Sequence, residues 1–334
     1  MYSDEELVSA VEAGIMTDEV AAAFRNHVAL ERVTPAVDEE HFRLITGFND
    51  IFVVIACLLL LVSISWIGSS VTPMLGAGLQ AMTAWGLSEY FTRKRLMSLP
   101  SIVLLLAFVG GVFTAAIISL KGLGLGEDIT RGIPSAVAAF AAWLHWQRFK
   151  VPITVAAGTA TLVAGVMFLL FGFVPEIRQW MIPITFVAGV LVFLFAMRWD
   201  SSDTQRQTGR SDVAFWLHLI AAPLIVHPIF SVLSVFDGQL GLWQAVAVTT
   251  LYIGIAIVSI SIDRRALMVS ALVYVLYAFN TLLEQYGVIS LGFAFTAFSI
   301  GSGLLLLSAF WHTCRKAIIV HYPARIQNFL PSLR

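Results

Sequence analysis

Ten long apolar stretches, separated by short polar gaps, constrain this chain more than any other feature. They cover approximately residues 50–67, 70–91, 99–120, 131–147, 151–173, 179–197, 213–236, 240–262, 266–286 and 288–311. Most approach or exceed the roughly 20 residues that a helix needs to cross a bilayer. Water offers no way to fold such a chain. Only 12% of its 334 residues are charged, about half the ~25% of soluble domains, so a globule would lack a polar skin. Lipid removes that requirement. The expected architecture is all-α, a polytopic transmembrane helix bundle of about ten spans. The Ala-rich stretch TRGIPSAVAAFAAWLHWQRF is the weakest of the ten.

The gaps test this count independently, because ten spans place alternate gaps on opposite sides of the membrane. One side then collects 17 of the 20 Lys and Arg residues, and the other holds Lys121, Arg131 and Arg178. Cytoplasmic loops carry the basic excess, so both termini are expected in the cytoplasm, and the membrane to be a bacterial inner membrane. One span more or fewer would scramble the asymmetry. Residues 1–46 read as a short helical cytoplasmic segment: Ser3-Asp4-Glu5-Glu6 fits a capping box, Thr17-Asp18-Glu19 a second helix start, and Pro35 ends the pattern. Residues 47–312 form the ten-helix domain. Residues 313–334 mix basic side chains with Ile318, Ile319, Tyr322 and Phe329, which suits a tail lying on the cytoplasmic face.

Several chemistries find no motif. The formal net charge of -1 leaves no nucleic-acid footprint. There is no GxxxxGK[ST], HExxH or strand–GxSxG–helix pattern, and Cys57 and Cys314 form neither a disulfide framework nor a CxxC pair. No catalytic residue, metal ligand or cofactor is expected. The acidic start MYSDEELVSAVEAG has no early apolar core and does not read as a signal peptide.

Function is therefore sought in polar groups at membrane depth, where an ionisable side chain is costly and marks a site by default. The seventh stretch, DVAFWLHLIAAPLIVHPIFSVLSVFD, holds His218 and His227 together with Pro223 and Pro228, and the prolines predict a kink. By helix rise His227 lies about 20 Å from the cytoplasmic end, beyond easy snorkelling. In the ninth stretch Ser270, Tyr274, Tyr277, Thr281 and Glu284 follow one helical face, with Asn280 beside it. His227 and Asn280 fall at nearly the same depth, so His227, Asn280, Tyr277 and Glu284 are candidates to line one polar cavity that binds a solute or passes a proton. The plainer explanation is helix packing through hydroxyl hydrogen bonds. Nearer the cytoplasmic side, Glu89, His145 and His218 form a second candidate group. Each has a plain alternative: Glu89 paired with Arg93 four residues on, and the two histidines as part of the interfacial belt.

The phrases FRLITGFNDIF, FWLHLIAAPLIVHPIF and DRRALMVSALVY give the chain a resemblance to the uncharacterised polytopic inner-membrane proteins of bacteria. That resemblance covers most of the chain and implies no activity. The ten-span plan is also similar to that of the five-plus-five drug/metabolite exporters, from which the 46-residue leading segment departs. Ten spans, midplane polar groups and a Pro-broken helix match the places where carriers put their sites. The expected function is a small-solute or proton-coupled carrier, with the lipid bilayer and a small solute or proton as partners. The alternatives are a non-transporting scaffold or sensor acting through the cytoplasmic segment, and then a membrane enzyme or haem redox protein with His145 and His218 as ligands.

Overall fold

The computed structural model describes residues 9–11, 13–31, 48–204, 206, 208–233, 242–285, 292–323, 327 and 329–331. Side chains are described for these except 25–31, 242, 245, 273, 282–285, 292, 293, 295, 296, 299 and 300. The chain divides into two compact units, Met1–Arg43 and Leu44–Arg334. The first contains α1 (Asp18–Glu31), which starts where Thr17 Oγ1 accepts the Val20 N–H at 3.3 Å. Asp18 and Glu19 in its first turn suit the positive end of the helix dipole. The capping box at Ser3 lies outside the described residues.

Among its described residues the second unit has ten long helices, one on each apolar stretch. They are α2 (Phe48–Val71), α3 (Pro73–Phe91), α4 (Ser98–Leu120), α5 (Glu127–Phe149), α6 (Ile153–Phe173), α7 (Met181–Ser201), α8 (Gly209–Val232), α9 (Leu242–Ile262), α10 (Ala266–Gln285) and α11 (Gly292–Ala309). A 3-10 turn, Pro175–Trp180, joins α6 to α7, and a short α12 (Trp311–Ile319) follows α11. No β-strand occurs among the described residues, so the all-α expectation holds. Among the described residues five helices are long and apolar enough to cross a membrane: α2, α4, α6, α7 with its leading 3-10 turn, and α8. Phe52, Leu59, Val62, Trp66 and Ile67 of α2 all point outward. An apolar exterior of this kind is what lipid solvates, and the chain is a membrane-spanning helical protein.

Side-chain contacts between sequence-distant helix ends give the direction of each helix. Glu89 near the end of α3 meets Arg148 at the end of α5, and Trp146 meets Trp199 at the end of α7. Arg264, just after α9, reaches Asp200 at the end of α7. Trp311, just after α11, reaches Asp263. All these contacts share one end, here termed the basic end. At the opposite end Asp128, at the start of α5, pairs with Arg178 of the 3-10 turn. Helices therefore leave the basic end and return to it in pairs, α4 with α5, α6 with α7, α8 with α9 and α10 with α11.

Close packing relies on residues with little or no side chain. On α5 and α6, Gly165 sits 3.2 Å (as a built Cβ) from Ala136 N, and Gly158 lies 3.3 Å from Ala142 Cβ. That explains how the weakest apolar stretch still forms a full helix: its alanines and Gly132 let α6 approach its backbone. At the α2–α3 corner Thr72 caps α3 by accepting the Leu75 N–H, with Pro73 at the first turn. A Cβ on Gly76 would stand 2.5 Å from Ser65 O and 2.8 Å from Ser69 N, whereas one on Gly78 meets nothing within 4 Å. Gly76→Ala should therefore cost about 1–3 kcal/mol through overpacking, and Gly78→Ala should be neutral or slightly stabilising. Thermal unfolding of the two purified variants in one detergent checks the contrast.

Candidate functional site

The basic end of α7–α10 and α12 holds a set of charged side chains withdrawn from solvent. It starts in the last turn of α7, where Asp200 is 1% exposed. Arg264, in the three-residue connection from α9 to α10, donates to Asp200 through Nη2 at 2.6 Å and Nε at 3.4 Å. The same Nη2 donates to Ser211 O at 3.0 Å and Ser211 Oγ at 3.2 Å at the start of α8. His218 Nε2 completes the set around the Asp200 carboxylate at 2.9 Å.

Asp263 is the second centre. Arg206 Nη1 donates to Asp263 Oδ2 at 2.9 Å, and its Nη2 donates to Asp263 O at 2.9 Å. The Trp311 indole N–H donates to Asp263 Oδ1 at 2.7 Å. Arg315 stands 3.8 Å from Oδ2 and donates to Pro331 O at 2.5 Å. Arg206 and Asp263 both adopt positive φ, 54° and 57°. Asp263 occupies the left-handed position just past a helix end, which Asp tolerates, while Arg206 pays more for its conformation. Asp203 accepts from Thr208 N at 2.8 Å and Thr208 Oγ1 at 2.6 Å, fixing the turn into α8. Arg265 lies over the Trp311 ring, 4.9 Å from its centroid.

Charge balance explains why this cluster is tolerated. Three aspartates, Asp200, Asp203 and Asp263, and three arginines, Arg206, Arg264 and Arg315, are buried here, and these charges sum to zero when His218 is neutral. An ionised carboxylate only accepts, so His218 donates to Asp200 from Nε2. Its Nδ1 is then a bare acceptor, buried and without a hydrogen-bond partner among the described residues. Burial alone would raise the Asp263 carboxyl, but Arg206, Arg315, the Trp311 N–H and Arg264 outweigh it and hold it below the ordinary aspartate range.

The candidates read from the sequence distribute differently. His218 belongs to this cluster. Glu89 forms a fork with Arg148, Oε1 to Nε at 2.7 Å and Oε2 to Nη2 at 3.1 Å, and also takes Arg93 at 3.4 Å. His145 is fully buried among Trp85, Phe108 and Phe149, with Nδ1 3.4 Å from Thr154 Oγ1. Glu89, His145 and His218 thus share an end of the bundle but each has its own partners. Both imidazoles are enclosed by protein. Among the described residues no three His, Cys, Asp or Glu side chains are placed to hold a metal.

Helices α8 and α10 are neighbours, as the deeper site requires. His227 Nδ1, however, pairs with Tyr274 OH at 2.7 Å, and Ser231 Oγ lies 3.4 Å from Nε2. The Tyr274 ring stacks on Phe230, with centroids 4.8 Å apart. His227 is exposed, Tyr277 is 37% exposed and Asn280 is half-buried. The Glu284 side chain lies outside the described residues.

Sequence reading missed Asp200, Arg206, Asp263, Arg264 and Arg315 because it assigned them to polar gaps. The signal was there in DRR, a three-charge connection too short to solvate freely between two apolar stretches. Searches against protein-family models, curated proteins and solved structures each return no match to this chain.

Removing one member of a buried pair strands the other, which typically costs about 3–5 kcal/mol. Arg264→Met should lower the melting temperature accordingly, while the exposed Arg210→Met should leave it unchanged. The Asp263 shift has a definite sign. A depressed folded pKa means that its stabilisation is complete above about pH 4, the unfolded value, and is lost as pH falls through the lower folded value. Acid unfolding of Asp263→Asn should therefore be less steep below about pH 4 than that of the parent.

Proposed function

We propose that this chain is a ten-span bacterial inner-membrane carrier with both termini in the cytoplasm, moving a small solute or coupling it to a proton. The basic end would be the cytoplasmic end, since Arg93, Lys94, Arg95, Arg148, Lys150, Arg198 and the arginines of the buried cluster all lie there. The supporting observation is that cluster, which adds buried charges to the apolar packing that joins α7, α8, α9, α10 and α12. Desolvation offsets much of the attraction in a buried ion pair. Such a fastening separates at low net cost when water enters and hydrates both partners. A gate needs two arrangements close in free energy, and opening this fastening to water would supply the second. α8 carries Asp200's partner His218, the Tyr274-bound His227 and two internal prolines, so gate and deeper polar pair lie on one helix.

Reconstitution in liposomes loaded with a pH-sensitive dye tests the carrier reading. Some member of a panel of amines, organic acids and sugars should drive a proton flux above that of empty liposomes. Arg264→Met should change its rate, and absence of flux across the panel overturns the reading. Threading is tested separately. An alkaline phosphatase reporter fused after residue 238 should be active and one fused after residue 205 inactive; the reverse would invert the proposed sides. A scaffold or sensor is the second reading, favoured by the separate compact unit Met1–Arg43. Deleting residues 1–43 should leave flux intact if the bundle itself is the carrier.

A further inference from the structure

Helices α6 and α7 diverge from the 3-10 turn that joins them, and they scarcely touch each other, although both pack on α8. Between them lies a groove of about 390 Å³, within the size range of small-molecule sites. Thr159, Val166 and Leu170 form one wall, and Ile184, Leu191 and Phe195 the other. Thr159 spends its hydroxyl on Val155 O at 2.8 Å, so the groove offers a ligand almost nothing polar. Each wall spans eleven helical steps, about 17 Å by helix rise. That is slightly more than half the ~30 Å hydrocarbon thickness, the reach of an acyl chain from one leaflet.

The mouth toward the basic end is of another character. Phe195 meets Trp199 with ring centroids 6.3 Å apart, Trp199 meets Trp146 at 6.3 Å, and Lys150 Nζ lies 5.2 Å from the Trp146 centroid. Arg198, one turn beyond Phe195, is exposed, and its guanidinium has no hydrogen bond or ion pair to any described residue. Tryptophans and cations at this level belong to the membrane interface, and basic groups beside an interhelical groove attract anionic headgroups. We propose that the groove holds one phospholipid with an anionic headgroup, an acyl chain lying between α6 and α7 and the phosphate resting on Arg198 and Lys150.

The proposal rests on the chain spanning a membrane, and not on its being a carrier. A polar solute finds no anchors along the walls. A second copy packed here about a two-fold axis along the membrane normal would bring the same cations together at the mouth.

The test uses the full chain, extracted from vesicles containing equimolar phosphatidylcholine and phosphatidylglycerol and examined by native mass spectrometry. Phosphatidylglycerol should be retained in preference to phosphatidylcholine. The Arg198→Gln/Lys150→Gln variant should lose that preference by about fivefold per charge removed. Val187→Trp, which fills the groove, should lower retention of both lipids, with Leu191→Phe as a milder filler if the first does not fold. An unchanged preference in the charge variant, or unchanged retention in a folded filler variant, overturns the proposal. So does a dimer that the filler dissolves, which would make a second copy the occupant. Release of the parent chain from vesicles by alkaline carbonate would overturn membrane insertion itself, and with it the proposal, whatever the flux assays return.

Discussion

A charge taken out of water must meet its opposite at contact distance, and much of this bundle's basic end follows from that constraint. Arg264 has one guanidinium with which to satisfy Asp200 on α7 and Ser211 on α8. The connection it occupies must therefore press against both helix ends. Asp263, its neighbour in sequence, faces the other way and gathers Arg206, Trp311 and Arg315. Two adjacent residues thus serve as the fastening between three chain crossings and the segment that follows them. The positive φ of Asp263 turns the two side chains apart, and a regular helical continuation would point them elsewhere.

The sequence made the architecture legible and the site only partly so. Apolar length is a property of stretches, averaged over many residues, and the described helices α2–α11 fall on those stretches. Which gap residues are hydrated and which are buried is a tertiary property. Nothing local distinguishes Arg264, 2% exposed, from exposed Arg198. His218 was visible because an imidazole in an apolar stretch is conspicuous. Asp200 was not, because it sits in a polar run that begins one residue before α7 ends. Depth matching brought α8 and α10 together correctly, yet it pointed to Asn280 where Tyr274 is the residue bonded to His227. Helical phase differs by about a third of a turn between those two residues, and the phase of one helix against another is set by packing.

Packing differs along the chain for a related reason. Where Gly132, Gly158 and Gly165 line up, α5 and α6 approach to backbone contact. Where Leu162, Val166, Val187 and Leu191 face one another, bulk holds α6 and α7 apart and leaves a groove. In lipid there is no hydrophobic gain from closing such a gap, so a bundle can keep an opening that water would collapse.

The sequence separations within the buried cluster also bear on how the protein is made. Asp200 and Arg264 are 64 positions apart, and Asp263 and Trp311 are 48 apart. At a synthesis rate of roughly 10 residues per second, the carboxylate at the end of α7 exists for several seconds before its arginine emerges, and Asp263 then waits again for α12. Asp200 is inserted ahead of Arg264, whereas Asp263 meets an Arg206 made before it and waits only for Trp311 and Arg315. The nascent bundle must keep Asp200 and Asp263 hydrated until these later partners arrive, so the dry, interlocked face forms only after α12 has been made.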